Sequence, residues 1–205
     1  MKVLAEIPAR SSPELRAGSL RRSDLEAYGG LLGKLGSATC VLITGADPTR
    51  REAAAGLAAA AAAGGTRTAL LECDLAEPGM ADALGLANAP GLHEYLAGAA
   101  EVESILRPVA LAGPGSAEAT EPLVCVVAGR PSSDPPELLA SDRFQAAIAG
   151  LRAAYELIVI GGPPLGERDA LRPILDAVDA TCVCVRPGES RRKLPIAAGG
   201  FIVLN

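Results

Sequence analysis

At 205 residues the chain is long enough for one domain with a well-buried core, whereas two domains would each be small. Hydrophobic residues make up 49% of it but aromatic ones only 2%, so the core has to be built from Ala, Val, Leu and Ile. A balance of 19 basic against 24 acidic residues, net charge −5, excludes the electrostatic footprint of a DNA- or RNA-binding protein, and no apolar run reaches the roughly 18 residues of a membrane span.

Met1-Lys2-Val3-Leu4-Ala5-Glu6-Ile7-Pro8 opens with a basic residue, but Glu6 and Pro8 interrupt it before a signal core forms, and the chain is read as cytoplasmic. Residues 1–23, polar and punctuated from Ala9 onward, are expected to be an extended N-terminal arm, and residues 24–205 the α/β domain. A first helix is predicted from about Asp24 to Leu35, with Ser23 as N-cap and Leu25, Leu31, Leu32 and Leu35 on one stripe; Gly29 and Gly30 each weaken it by about 1 kcal/mol.

From Cys40 onward short apolar runs alternate with helical stretches, the pattern of repeated βα units around a parallel sheet. The runs are Cys40 to Thr44, Thr68 to Cys73, Leu123 to Val127, Leu157 to Ile160, Ala180 to Val185 and Phe201 to Leu204. They are continuously apolar, as strands buried on both faces are, so the fold is expected to be a single doubly wound, mostly parallel α/β domain. Helices are predicted for Glu52 to Ala63, around Met80 to Leu84 and His93 to Leu96, from about Ser141 to Tyr155, and over Asp169 to Val178. Residues 106–122, with Pro108, Pro114 and Pro122, read as a surface loop. Gly129 to Pro136 reads as a second loop, which ends in a helix capped by Ser133 or Asp134; it either borders the same cleft as the stretch after Val41, as loops after strand C-termini do, or is a plain turn. Between the last two runs, residues 186–199 leave room for a short crossover at most.

The stretch Val41-Leu42-Ile43-Thr44-Gly45-Ala46-Asp47-Pro48-Thr49-Arg50-Arg51-Glu52-Ala53-Ala54 has the layout of a phosphate-binding loop: strand, tight turn, helix start. In such a loop glycines admit phosphate oxygens to backbone N–H groups, a Lys neutralises them and a Ser or Thr hydroxyl holds Mg²⁺. Here Arg51 stands where the last glycine belongs, Glu52 replaces the Lys and Ala53 the hydroxyl. A Lys-to-Glu change turns attraction to phosphate into repulsion, each charge pair being worth about 4 kcal/mol at 4 Å for an effective dielectric near 20. Arg50 and Arg51 are candidates to hold an anion at the helix N-terminus. Thr49 and Glu52 also fit the S/T-x-x-E capping box, which would occupy those donors with the chain's own side chains, and we take that self-capped reading.

Other chemistry-bearing residues have plain readings. Cys40, Cys73, Cys125, Cys182 and Cys184 form no C-x-x-C pair and are expected to be buried thiols rather than a metal or redox site. His93, the single histidine, adjoins Glu94 but is read as a solvated residue of a surface helix. Arg191-Arg192-Lys193 is read as a solvated basic cluster, with contact to acidic lipid or a partner as the alternative.

Several segments together resemble the cytoplasmic domain of bacterial tyrosine autokinases of capsular and exopolysaccharide synthesis, relatives of the septum-site and partitioning ATPases. The carriers are Val3-Leu4-Ala5-Glu6-Ile7-Pro8, Leu71-Glu72-Cys73-Asp74-Leu75-Ala76-Glu77-Pro78 and Gly85 to Leu92 continuing through Gly98. Downstream come Ala128-Gly129, Pro135 to Phe144, and Tyr155-Glu156-Leu157-Ile158-Val159-Ile160-Gly161-Gly162-Pro163-Pro164. The resemblance covers nearly the whole chain and implies a P-loop NTPase-like fold. It also marks departures. The family's loop ends Gly-Lys-Ser-Thr, against Arg51-Glu52-Ala53-Ala54; its later strand ends Asp-Thr-Pro-Pro, with an Asp that organises the Mg²⁺ water shell, against Gly161-Gly162-Pro163-Pro164. Of its second-strand acids, the one that helps position the nucleophile is Glu72 here, while Asp74 is kept.

The family's ring motif, Glu followed by Arg three and six residues later, is Glu26, Gly29 and Leu32 in this chain, and the Tyr-rich tail has no counterpart. The resemblance thus implies a non-catalytic relative with vestigial Glu72, Asp74 and Gly161 and a degenerate loop of Gly45, Pro48, Thr49, Arg50, Arg51, Glu52 and Ala53. It would bind no metal or cofactor, and its partner would be a membrane protein that regulates polysaccharide chain length and recruits it to the inner face of the membrane. The alternative is an ATP-binding autokinase or ATPase with Mg²⁺ and an atypical loop that uses Arg50 or Arg51.

Overall fold

The computed structural model describes residues 3–7, 22–46, 49–109, 123–186 and 200–204. Among these the chain runs β1 (Val3–Ile7), α1 (Arg22–Leu35), β2 (Cys40–Gly45), α2 (Thr49–Ala63), β3 (Thr68–Glu72), α3 (Met80–Leu84), α4 (Leu92–Leu96), α5 (Val102–Ile105), β4 (Arg107–Val109) and β5 (Leu123–Val126). It continues through α6 (Pro135–Leu139), α7 (Asp142–Ala154), β6 (Leu157–Pro164), α8 (Arg168–Leu175), β7 (Ala180–Val185) and β8 (Gly200–Leu204). The strands form one eight-stranded sheet in the order β1-β8-β7-β2-β6-β3-β5-β4. Every pairing is parallel except β4 with β5. This is the expected doubly wound, mostly parallel sheet.

The continuous apolar runs explain the layers. Side chains alternate across a strand, so Val41 and Ile43 of β2 enter one core cluster while Cys40 and Leu42 enter the other. The first cluster lies under α1 and α2, the second under α4 to α8. The Ala-rich α2 is buried along nearly its whole length, wedged between the sheet and α1. Gly56 allows this approach: a Cβ there would overlap the ring of Tyr28, which is buried and whose hydroxyl donates to the Glu52 carbonyl at 3.4 Å.

Two strands lie where loops were expected. Val3–Ile7, placed in the N-terminal arm, pairs with β8 as the sheet's edge; residues 8–21 of the arm lie outside the described residues. Arg107–Val109, placed in the 106–122 loop, is the opposite edge, where Pro108 sits opposite Val124 and its missing N–H is tolerated because edge strands leave one side unpaired. β6 runs on to Pro164, past the expected end at Ile160, and α8 stops at Leu175. Asp134 caps α6 by accepting from Glu137 N at 3.3 Å, and Ser141 caps α7. The 186–199 crossover, apart from Arg186, and the basic cluster at 191–193 lie outside the described residues.

At the opposite end of the sheet from the strand tips, Asp179 fastens β2, β7 and α7. It accepts from Thr39 N at 2.9 Å, Cys40 N at 2.8 Å and Arg152 Nη2 at 2.8 Å. The Arg152 bonds, opposed by partial burial and aided by the two amides, hold its carboxyl far below the usual carboxylate range.

Tyr28 and Gly56 give a first test. Gly56→Ala is expected to lower stability by about 1–3 kcal/mol in urea unfolding despite Ala's better helix propensity, and the loss should shrink sharply in a Tyr28→Ala background. Asp179 gives a second. A depressed carboxylate stabilises above its unfolded pKa, 3.8, and that stabilisation is lost as pH falls toward its folded value. The urea midpoints of wild type and Asp179→Asn should therefore be well separated at neutral pH and converge as the pH is taken below 3.8.

Candidate functional site

The C-terminal ends of β2, β3 and β6 meet the start of α2, and the residues singled out in the sequence collect there. Gly45 closes β2, its Cα hydrogens packed against Cys184 of β7, where a Cβ would come within 2.8 Å of the Cys184 carbonyl oxygen. Asp47 and Pro48 lie outside the described residues. Thr49 to Ala53 form the first turn of α2 and the residue after it, with Ala53 buried and Glu52 half-buried.

Arg50 points inward. Its side chain is 2% exposed, its Nη2 donates to Asp74 Oδ2 at 2.5 Å and its Nε to the Gly162 carbonyl at 3.1 Å. Arg51, at 20% side-chain exposure, donates to the same Asp74 oxygen at 2.9 Å and to the Glu77 carbonyl at 2.5 Å. The other Asp74 oxygen accepts from Glu77 N at 3.2 Å. Asp74 itself is 1% exposed, so a carboxylate from the β3–α3 loop lies buried between two guanidiniums of α2. Sequence reasoning weighed capping against anion binding for these arginines and found neither Asp74 nor the Gly162 carbonyl. The partners are 24 and 112 positions away, a distance that no local pattern spans.

Glu72, at the end of β3, is buried and turns the other way. One oxygen accepts from Gly79 N at 2.7 Å and Met80 N at 2.8 Å, the other from Ala128 N at 2.9 Å. Burial pushes its carboxyl above the usual range, against the pull of these amides and of Arg51. Of the two readings of the loop after β5, the structure has the one in which it borders the site: Ala128 N bonds Glu72, and Ser132 N adds a bond to the Leu75 carbonyl at 2.8 Å. Gly161 lies within β6, and a Cβ built on it would stand 3.2 Å from Met80 Cε and 3.6 Å from Ala54 Cβ. Glu167, which the sequence did not single out, is also near: burial and the charges of Asp74 and Glu77 raise its pKa while Arg50 opposes.

His93, in a surface helix as expected, is partly exposed, and its Nδ1 lies 2.7 Å from the Arg130 carbonyl, which can only accept, so Nδ1 carries the proton. Glu94 does not pair with it; burial notwithstanding, the Gly91 and Arg130 amides hold the Glu94 carboxyl below its usual range. Gly129 allows the close approach, since at φ +88° a side chain there would be strained and would run into Glu94. The cysteines are buried free thiols, with Cys40 pushed by burial up to about 11 and Cys182 to about 12. Among the described residues no group of three or more His, Cys, Asp or Glu is arranged to hold a metal ion.

A mostly parallel sheet with the strand–loop–helix unit at its centre and acids at the tip of β3, one strand beyond β6, has the fold of a P-loop NTPase-like domain. No family model matches the chain. Its homologues are tyrosine-protein kinases of the wzc type: it is 31% identical over 127 residues to tyrosine-protein kinase wzc of Salmonella typhimurium, a match covering 61% of this chain and 16% of that protein. The chain therefore spans only about a sixth of the length of that relative. Its structural neighbours are bacterial tyrosine-kinase domains. The kinase domain of Escherichia coli tyrosine kinase ETK superposes with a TM-score of 0.81 at 18% identity, covering 100% of this chain and 90% of that one. The BceF tyrosine kinase domain does so with a TM-score of 0.80 at 18% identity, covering 100% and 93%.

Removing one member of a buried ion pair leaves the other stranded and costs about 3–5 kcal/mol, while replacing both by apolar residues is often neutral. Asp74→Ala is accordingly expected to lose stability on that scale in urea unfolding, and the double variant Arg50→Met with Asp74→Leu to recover most of the loss.

Proposed function

We propose that this chain is a non-catalytic relative of the polysaccharide-biosynthesis tyrosine autokinases that acts as a regulatory or interaction subunit. The observation that carries the reading is the direction of Arg50: at the start of the helix where a phosphate loop would open outward, its guanidinium is buried on Asp74 and the Gly162 carbonyl.

The neighbouring residues do not fit a magnesium nucleotide. Glu52 stands in place of the Lys and Ala53 in place of the hydroxyl. Asp74, the remaining acid of the second-strand motif, already accepts from two arginines and the Glu77 amide. At Gly161, where the resemblance has a metal-organising Asp, Met80 and Ala54 occupy the adjoining space. Each change alone invites compensation; together they remove the cation, the hydroxyl and the acid that phosphoryl chemistry in this fold relies on.

The partner this reading implies is a membrane protein that governs polysaccharide chain length. Among the described residues no helix is long and apolar enough to cross a membrane. This reading places the chain on the cytoplasmic side, recruited to the membrane by that partner.

Titration calorimetry with Mg-ATP up to millimolar concentration is the test. No saturable heat is expected. A saturable isotherm, together with ATP turnover or self-phosphorylation abolished by Arg51→Ala, would instead establish an enzyme with an atypical loop.

A further inference from the structure

We infer that Arg50, Arg51, Glu72 and Asp74 lock the β3–α3 loop, the start of α2 and the tips of β5 and β6 into a single conformation that needs no ligand, so that nucleotide does not gate their arrangement. The inference rests on the non-catalytic reading above and concerns regulation of the same site.

The four side chains join segments that are far apart in sequence. Asp74 receives Arg50 and Arg51 from α2 and the Glu77 amide from its own loop. Arg50 reaches across to the Gly162 carbonyl of β6, and Arg51 to the Glu77 carbonyl. Glu72 gathers the Gly79 and Met80 amides at the start of α3 and the Ala128 amide after β5. The start of α2, the β3–α3 loop, the tip of β5 and the end of β6 are thereby cross-linked through groups that are mostly buried.

In nucleotide switches the ordering of such loops comes from a phosphate and its metal, and the loops loosen when these leave. A ligand shifts a conformational equilibrium only by its differential affinity for the two states. Here the cations and carboxylates that order the loops are covalently part of the chain and cannot dissociate. Opening the loop around Asp74 would strand a buried carboxylate and the Arg50 guanidinium, and opening the one around Glu72 would leave three buried amides without their acceptor, both of which are costly. Gly79 packs its Cα face on the Arg51 guanidinium, where a Cβ would lie 3.1 Å from Nη1, so the β3–α3 loop and the Arg51 side chain fit in this one arrangement.

Amide exchange followed by NMR on the full chain tests the lock, with calorimetry on the same sample. In ligand-free protein the Glu77, Gly79, Met80 and Ala128 amides should exchange at least about 100-fold more slowly than an open chain, and millimolar Mg-ADP should leave these rates unchanged. Glu72→Ala should speed Gly79, Met80 and Ala128, and Arg50→Met should speed Glu77. Open-chain rates in the ligand-free wild type, with calorimetry silent, overturn the lock and leave the non-catalytic reading standing. Protection that appears only with Mg-ADP, alongside saturable heat, overturns both. Should either variant fail to fold, the wild-type rates alone decide.

Discussion

The strand-tip region depends on one buried ion pair, Arg50 with Asp74. Taking two charges out of water costs more than a simple Coulomb gain returns unless the remaining donors and acceptors are also satisfied. That condition is met by named groups. Arg50 Nε has the Gly162 carbonyl, and Asp74 has the Glu77 amide and a second guanidinium from Arg51. Arg suits the position better than Lys would, because its planar fork reaches a carboxylate and a carbonyl at once and is the more weakly hydrated of the two cations.

Small residues surround this end of the sheet. Ala53 and Ala54 of α2 are buried in the core, a Cβ at Gly161 would stand 3.2 Å from Met80 Cε and 3.6 Å from Ala54 Cβ, and one at Gly162 would stand 2.5 Å from Leu42 Cδ1. Ala53, Ala54 and Gly161 thus give helix, strand and Met80 room to pack closely, and the Ala-rich helix extends this close packing over Tyr28 and α1.

The fold was legible in the sequence because strands buried on both faces leave continuous apolar runs, as at Cys40 to Thr44 and Thr68 to Cys73, and because Asp134 and Ser141 are ordinary helix caps. What escaped were edges and partners. Val3–Ile7 and Arg107–Val109 are short edge strands whose pattern is indistinguishable from an arm or a loop, and Pro108 argues against a strand unless its edge position is known. At the site, the anomalous identities of Arg51, Glu52, Ala53 and Gly161 were readable one by one. The pairing of Arg50 with Asp74, and the role of Glu72 as a clamp on three amides, were not, since such partners come together only when the fold brings separate strand tips near one another. The partner of His93 was hidden for the same reason: the Arg130 carbonyl belongs to a different loop.

Glu72 shows why these changes form a set rather than a decay. A carboxylate one methylene longer than Asp, at the tip of β3, reaches past the arginines to the backbone amides of α3 and β5, and so does not compete with Asp74 for cations. Had the loop only lost its Lys, Asp74 would remain as a buried acid with no counter-charge, and the amides at Gly79, Met80 and Ala128 would lack an acceptor. Both debts are met from within the chain, one by arginine and one by glutamate. The two buried carboxylates are thus answered from within the chain, Asp74 by arginine and Glu72 by backbone amides, and these contacts tie the strand tips to the starts of α2 and α3.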